Sequence, residues 1–500
     1  MTPSRATVSV VALLAVGLAV GSLTAPGRRQ QTTRSAAESV EVVGSTAVCP
    51  DLRQGNTLAT RVSVGSDPLP DGRTFTGGTV GATRLSGGAK AEAVGVNAPG
   101  EVSVGLGTSI DKDGLVVAAT GSLAAGLEVE QVTRGEEGLD RGLANLRCDA
   151  PRTDLWFVGG ATLVGDTSLL VLANVDDTPT TLDISVFSDA SKTQPLDPHP
   201  TLGQGITVAP HSRQILNLDT LAPDRNNLAL HIACRRGRIA AGVRHARMDG
   251  KTPLGVDWVP RSTAPAEKVV VPALPQGPGT RALLVTNPGA DDVSVSIQIT
   301  TNDGQFVPAG LAEITIPASS TGAVRIDPLV ATSPLTAAIT STGGPIVAGA
   351  FIQDRQTGPV RELAYTASSA PLSGPALMTD LVINRPTEST LILSALDTEA
   401  TVIVSPIRVL GTKGALPAPK TVVVPAGRTV SLKLSTFYPP ATETQLALEV
   451  RPLPGSGPVY AARYLRERGA HGPLSTMLDL QGPAQLVSRP AVLENPELGW

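Results

Sequence analysis

The chain has 500 residues, a formal net charge of −4 and no long block of one sign, which excludes the basic face that nucleic-acid phosphates require. Its hydrophobic fraction of 41% is enough for several cores, yet aromatics make up only 3%, so those cores must be built from Val, Ile, Leu and Ala, which suit pleated strands. The 51 Gly and 42 Pro fall mostly between apolar runs and read as turns.

Arg5 is followed by an apolar run from Val8 to Leu23, relieved only by small residues and ending at Thr24-Ala25-Pro26. Residues 1–26 therefore read as a signal peptide or a membrane anchor. The run is close to bilayer-spanning length, but Arg28, Arg29 and Arg34 beyond it oppose an outward-facing anchor and favour cleavage. Residues 27–40 are polar, lack periodicity and read as a tether.

Residues 41–150 hold strand-like runs such as RVSVG, EVSVGLGTSI, LVVAATG and LEVEQV, with hairpin chemistry at Asp111-Lys112-Asp113-Gly114. The segment EEGLDRGLANLRC reads as the place for one short helix. Residues 151–262 follow with DLWFVGG, a turn at Asn174-Val175-Asp176-Asp177, and TLDISVF, where Leu182, Ile184 and Val186 alternate with Asp183 and Ser185. That two-residue period marks a half-buried strand. Residues 263–372 repeat the theme with Val293, Val295, Ile297 and Ile299, and residues 373–482 with Val430, Leu432 and Leu434. Residues 483–500 form a Pro-rich tail ending in Trp500.

Three segments recur as an internal repeat: ITVAP…LNLDTL, ITIPA…VRIDPL and VVVPA…LKLSTF. Their prolines, Pro210, Pro317 and Pro425, lie 107 and 108 residues apart; their closers Leu221, Leu329 and Phe437 lie 108 and 108 apart. Solenoid turns and propeller blades have periods of about 20–50 residues. A period near 108 is instead the length of a whole sandwich of immunoglobulin type, roughly 100 residues. The expected fold is all-β: a row of tandem immunoglobulin-like β-sandwiches, the first a divergent copy.

Cys49 and Cys148 stand near the two ends of that first unit. The alternatives are a disulfide between them or three unpaired buried thiols, and an exported chain favours the disulfide. Closing a loop of about 100 residues would contribute roughly 4–5 kcal/mol in the chain-entropy model. Cys234, in LALHIACRRG, reads as a buried odd thiol, and the cysteine spacing excludes a zinc knuckle.

The segments RTDLWFVGG, LANVDD and ITVAPHS, with the paired strands after them, resemble an uncharacterised family of actinobacterial exported proteins, a domain of unknown function in envelope-associated chains. The resemblance covers most of the chain after the leader and includes Cys49 in AVCPD and Cys148 in LRCDAP. It implies export and the disulfide and carries no catalytic residues. The excess of Arg over Lys suits a GC-rich genome of that kind.

The search for chemistry is mostly a search for reasons to reject it. G-x-S-x-G, G-x-x-x-x-G-K, H-E-x-x-H and C-x-x-C are all missing. His199, His211, His231 and His245 cluster in the second unit and His471 stands apart, but their spacings match no ligand motif, so they read as surface or strand histidines. The acidic pairs Asp176-Asp177 and Asp291-Asp292, and Asp111 with Asp113, offer too few carboxylates for calcium, which takes six to eight oxygens. They read as turns. Trp156 and Trp258, near predicted junctions, read as packing residues before sugar-stacking ones. Arg235, Arg236 and Arg238 read as a hairpin turn before an anion contact. No cofactor, metal or catalytic residue is expected. The expected function is a non-enzymatic, extracytoplasmic envelope scaffold or accessory for protein partners, secreted or anchored to the outer face of the membrane. The alternatives are a surface adhesin or binder of cell-wall glycan, which calls for exposed loop aromatics, and an unrecognised hydrolase, which calls for clustered Asp, Glu, His or Ser in a cleft.

Overall fold

A computed structural model describes residues 38–50, 58–69, 74–87, 95–106, 113–190, 196–330, 332–355, 360–383, 387–413, 415–438, 444–482 and 486–489. The leader, most of the tether, Asp111, Lys112 and Trp500 lie outside them. The protein is built almost wholly of antiparallel strands; the one α-helix among the described residues is the short turn Leu434–Phe437. Four successive two-sheet sandwiches occupy residues 44–147, 154–262, 268–367 and 376–479.

The last three sandwiches share one topology. In the second, eight principal strands run Asp154–Val158, Asp166–Asn174, Thr180–Phe187, Ile206–Val208, Ser212–Asn217, Ala229–Arg236, Ala240–Asp249 and Thr252–Val259. The first, sixth, third and fourth form one sheet; the fifth, second, seventh and eighth form the other. The third and fourth sandwiches repeat this order strand for strand. The first sandwich follows it with no fourth strand among the described residues: Gly44–Cys49, Leu115–Thr120 and Val80–Arg84 face Val102–Leu106, Leu58–Ser66, Leu127–Gly135 and Gly142–Arg147.

Each sandwich has its own aliphatic core. In the second, Leu182, Ile184 and Val186 meet Leu170, Leu172 and Val243 from the opposite sheet, all fully buried. The alternation read from TLDISVF thus places its apolar set inward, and a one-residue slip would turn that set outward. The Cys49–Cys148 disulfide is formed and buried in the first core, beside Val62, Val64 and Val117. Cys234 is half-buried rather than buried, because it lies toward the outer end of its strand.

Three local expectations need correction. The segment EEGLDRGLANLRC holds only the 3-10 turn Gly138–Asp140; GLANLR is the strand Gly142–Arg147, paired with Leu127–Gly135. The repeating prolines are not structurally equivalent throughout. Each lies in the tight turn that carries the chain from the fourth to the fifth strand, across the two sheets. The landmark of that turn is a left-handed residue: His211 (φ 46°), Ser319 (φ 49°) and Gly427 (φ 68°). Their numbers differ by 108 and 108, so Pro210 stands one place later in its turn than Pro317 and Pro425. Finally, parts of the tether and tail are strands: Glu38–Glu41 pairs with Leu486–Arg489 in a separate two-stranded sheet.

The larger correction concerns how the sandwiches are arranged. They do not form a row. The eighth strands, Gly142–Arg147, Thr252–Val259, Arg361–Ala367 and Gly472–Asp479, each pack on the next, and the last packs on the first. Residues 41–485 are therefore a closed four-membered ring and one compact unit. The physical reason lies in those strands. Each is a sheet edge with unpaired backbone groups and apolar side chains on both faces, a combination that must be covered. Turning all four toward a shared axis covers them at once.

Candidate functional site

Apolar patches line the seams of the ring. Trp258 packs on Ala144, Leu146 and Val171 between the first and second sandwiches, and Trp156 packs with Phe187, Leu284 and Val347 between the second and third. The His231 ring stacks on Trp156 at 4.1 Å. Both tryptophans are thus seam-packing residues, buried to 6% exposure or less.

The axis itself is polar. Asp257 is fully buried and accepts hydrogen bonds from every sandwich: the Asn145 N–H at 3.1 Å, its neighbour Trp258 N–H at 2.9 Å, the Tyr365 N–H at 3.3 Å and the Thr476 hydroxyl at 3.0 Å. Burial raises its carboxyl well above the usual range despite these donors. Glu362 lies close by and is raised in the same way: burial dominates, Arg141 opposes it, and Asp257 adds to it. At the closing seam, Glu130 of the first sandwich pairs with the fully buried Arg463 of the fourth and accepts from Asn145 Nδ2 (3.0 Å) and the Thr379 hydroxyl (3.1 Å). Asp354 joins the third sandwich to the fourth by accepting from Tyr464 (2.6 Å) and Ser475 (3.0 Å). These largely buried groups fasten the ring.

The accessible polar centre lies elsewhere. A cleft of about 300 Å³ opens between the second and third sandwiches, lined in part by His245, Arg247, Phe351 and Tyr365. His245 and Arg247 stand two residues apart on the seventh strand of the second sandwich and so share a face. Opposite them on the second strand is Asp166, whose Oδ1 lies 2.9 Å from His245 Nε2 and 2.6 Å from Arg247 Nε, while its Oδ2 lies 3.1 Å from Arg247 Nη2. The other ring nitrogen, His245 Nδ1, lies 2.6 Å from the Tyr365 hydroxyl, which also accepts the Gly160 N–H at 3.2 Å. The Arg247 guanidinium sits over the Phe351 ring, 5.5 Å from its centroid.

The protonation pattern follows from this geometry. Burial lowers the pKa of His245 even though Asp166 opposes the shift, so the imidazole is neutral. Burial works against ionisation of Asp166, but the hydrogen bonds from His245 and Arg247 outweigh it and hold the carboxyl below its ordinary value. With Asp166 ionised, His245 Nε2 carries the proton and Nδ1 accepts from Tyr365. Burial also drives the Tyr365 phenol upward, so this hydroxyl stays protonated. The chain Asp166–His245–Tyr365 has the connectivity of a nucleophile triad, its phenol donating to His245 Nδ1 and accepting from Gly160.

Other expected candidates fall into place as local structure. His211 pairs with Asp177 at 2.7 Å, and His199 Nδ1 lies 2.9 Å from the Ser185 hydroxyl. The described residues contain no group of three or more His, Cys, Asp or Glu able to hold a metal. Arg235 pairs with Asp183 and Arg238 with Asp176 around the turn at Gly237. In the acidic turns the organising side chain is the preceding asparagine rather than an aspartate. Asn174 accepts the Asp176 N–H at 3.0 Å and donates to the Thr178 carbonyl at 2.9 Å; Asn287 accepts the Gly289 N–H at 2.9 Å and donates to the Asp291 carbonyl at 2.8 Å. Burial pushes the Cys234 thiol up to about 11, which makes it a poor nucleophile.

The model of a family of unknown function, DUF5719, matches residues 101–435, most of the chain. The chain belongs to this family. The match runs from the first sandwich into the fourth and contains every residue of the cleft. No curated protein matches the chain. Among solved structures, the crystal structure of Thermotoga maritima 1070 aligns at 20% identity with a TM-score of 0.19, covering 21% of this chain and 96% of that one.

Proposed function

We propose that the protein is an exported, non-enzymatic envelope protein that serves as a scaffold for protein partners, held at the outer face of the membrane or released beside the cell wall. The closed ring carries this reading. Four sandwiches locked by buried cross-seam pairs such as Glu130–Arg463 and Arg141–Glu362 form a body whose sheets keep fixed positions relative to one another. That is the physical requirement of a docking platform. The ring replaces the semi-rigid rod that a row of sandwiches would make. Export is supported by the leader-like sequence of residues 1–26 and by the buried Cys49–Cys148 disulfide, a bond that persists in oxidising compartments.

The test is crosslinking in intact cells, followed by affinity purification of the full chain from detergent-solubilised envelopes and mass spectrometry. Reproducible recovery of one extracytoplasmic protein supports the scaffold. Recovery of polysaccharide alone, or of cytoplasmic proteins, overturns it.

A further inference from the structure

The cleft between the second and third sandwiches contains more hydrogen-bonding capacity than the protein uses. Arg247 and Arg325 each commit Nε and Nη2 to a carboxylate, Asp166 and Asp327 respectively, and each keeps Nη1 without a partner among the described residues. The Gln353 amide nitrogen is buried and has no partner there. Asn226, Asn227 and Thr280 also make no side-chain hydrogen bond to the described residues. The Gln353 amide is therefore a donor that a ligand acceptor in the cleft would satisfy. Asn227 adopts a left-handed conformation (φ 50°) and lines the cleft beside Asn226.

Charge and shape narrow the ligand. Both guanidinium charges are offset by their own carboxylates, and burial keeps His245 neutral, so the cleft has no surplus cation to compensate an anion taken out of water. What remains is a set of neutral donors and acceptors around an apolar strip that includes Phe351 and Leu284. A volume of about 300 Å³ is at the small end of ligand sites. We propose that this cleft binds a neutral, hydroxyl-rich ligand, one or two saccharide units, with ring C–H groups on the apolar strip and hydroxyls on Arg247, Gln353 and the two asparagines. This inference does not rest on the scaffold reading; a partner protein and a glycan would occupy different surfaces.

The experiment is saturation-transfer NMR on the full chain with glucose, galactose, mannose, arabinose, N-acetylglucosamine, maltose and cellobiose, and with glucuronic acid and inorganic phosphate as charged counterparts. The expected result is saturable transfer to at least one neutral sugar, weakened ten-fold or more by Gln353→Ala and by Asn226→Ala. Arg325→Ala, at an exposed rim position, should weaken it several-fold while moving the thermal midpoint little, since an exposed pair such as Arg325–Asp327 contributes little to stability. The proposal is overturned if no neutral sugar receives transfer, if only the charged probes bind, or if binding survives all three substitutions undiminished.

Discussion

The Glu130–Arg463 pair offers the sharpest test of ring closure. Arg463 is fully buried and the Glu130 side chain is 5% exposed, so neither charge has water to fall back on. Glu130→Gln keeps one acceptor oxygen, at the position shared by Asn145 Nδ2 and Arg463, but puts an amide nitrogen where the Thr379 hydroxyl donates and leaves the Arg463 charge without its counter-charge. Arg463→Met leaves a buried carboxylate with two neutral donors. Each single change should cost about 3–5 kcal/mol, the usual penalty for orphaning one member of a buried pair. The double variant removes both charges and should lose less than either single change, giving a coupling energy of at least about 3 kcal/mol. The assay is guanidinium denaturation at pH 7 followed by circular dichroism and by fluorescence from the seam tryptophans, Trp156 and Trp258. Shifts in the midpoint at constant m report stability. If both single variants lose under about 1 kcal/mol, or the double variant loses the sum of the two, the first and fourth sandwiches are not fastened in this way and the closed ring is wrong.

Further outcomes follow from the same packing. Replacing Cys49 and Cys148 by Ser should cost roughly 4–5 kcal/mol by the chain-entropy relation for a loop of about 100 residues, checked by denaturation of wild type and variant side by side; a loss under about 1 kcal/mol would remove the disulfide from the stability of the first sandwich. Asp257 and Glu362 have folded-state pKa values well above 3.8 and 4.5, so the folded protein binds more protons than the unfolded chain above those values, and stability should fall as pH rises through their folded pKa values. Asp166 and Asp149 are depressed and act oppositely, losing stability as pH drops below about 3.8; midpoints measured from pH 3 to 9 should therefore pass through a maximum, and Asp257→Asn should flatten the upper limb. Tyr365→Phe leaves His245 Nδ1 and the Gly160 N–H without their partner and should cost about 1–3 kcal/mol, read from the thermal midpoint.

The sandwich architecture was legible because half-buried strands alternate: Leu182, Ile184 and Val186 declare an inward face, and the same pattern returns with a period of 108. The ring was not legible. Its eighth strands are buried on both faces, so LGVDWV and ELAYTA carry no alternation that separates core from seam. Nor do the seam partners signal each other, since Glu130 and Arg463 stand 333 residues apart. The cleft was hidden for the same reason: His245 meets Asp166, 79 residues earlier, and Tyr365, 120 residues later. One local trace existed. In AGVRHARMD, Arg244 and Ala246 share one face of the strand while Val243, His245 and Arg247 share the other, and a run of this polarity within a largely buried strand announces polar partners across both faces.

Closure of the ring also imposes an order on the making of the protein. Val132 and Leu143, in the sandwich the ribosome finishes first, are covered by Leu465 and Leu474 from the one it finishes last. For most of synthesis, then, the nascent chain carries an apolar, edge-exposed seam whose complement does not yet exist. Contacts over such separations form slowly, because loop-closure entropy is spent before they repay it. Until the fourth sandwich arrives, a second nascent copy can offer the same missing surface, which makes this seam the place where holding factors and misassembly compete.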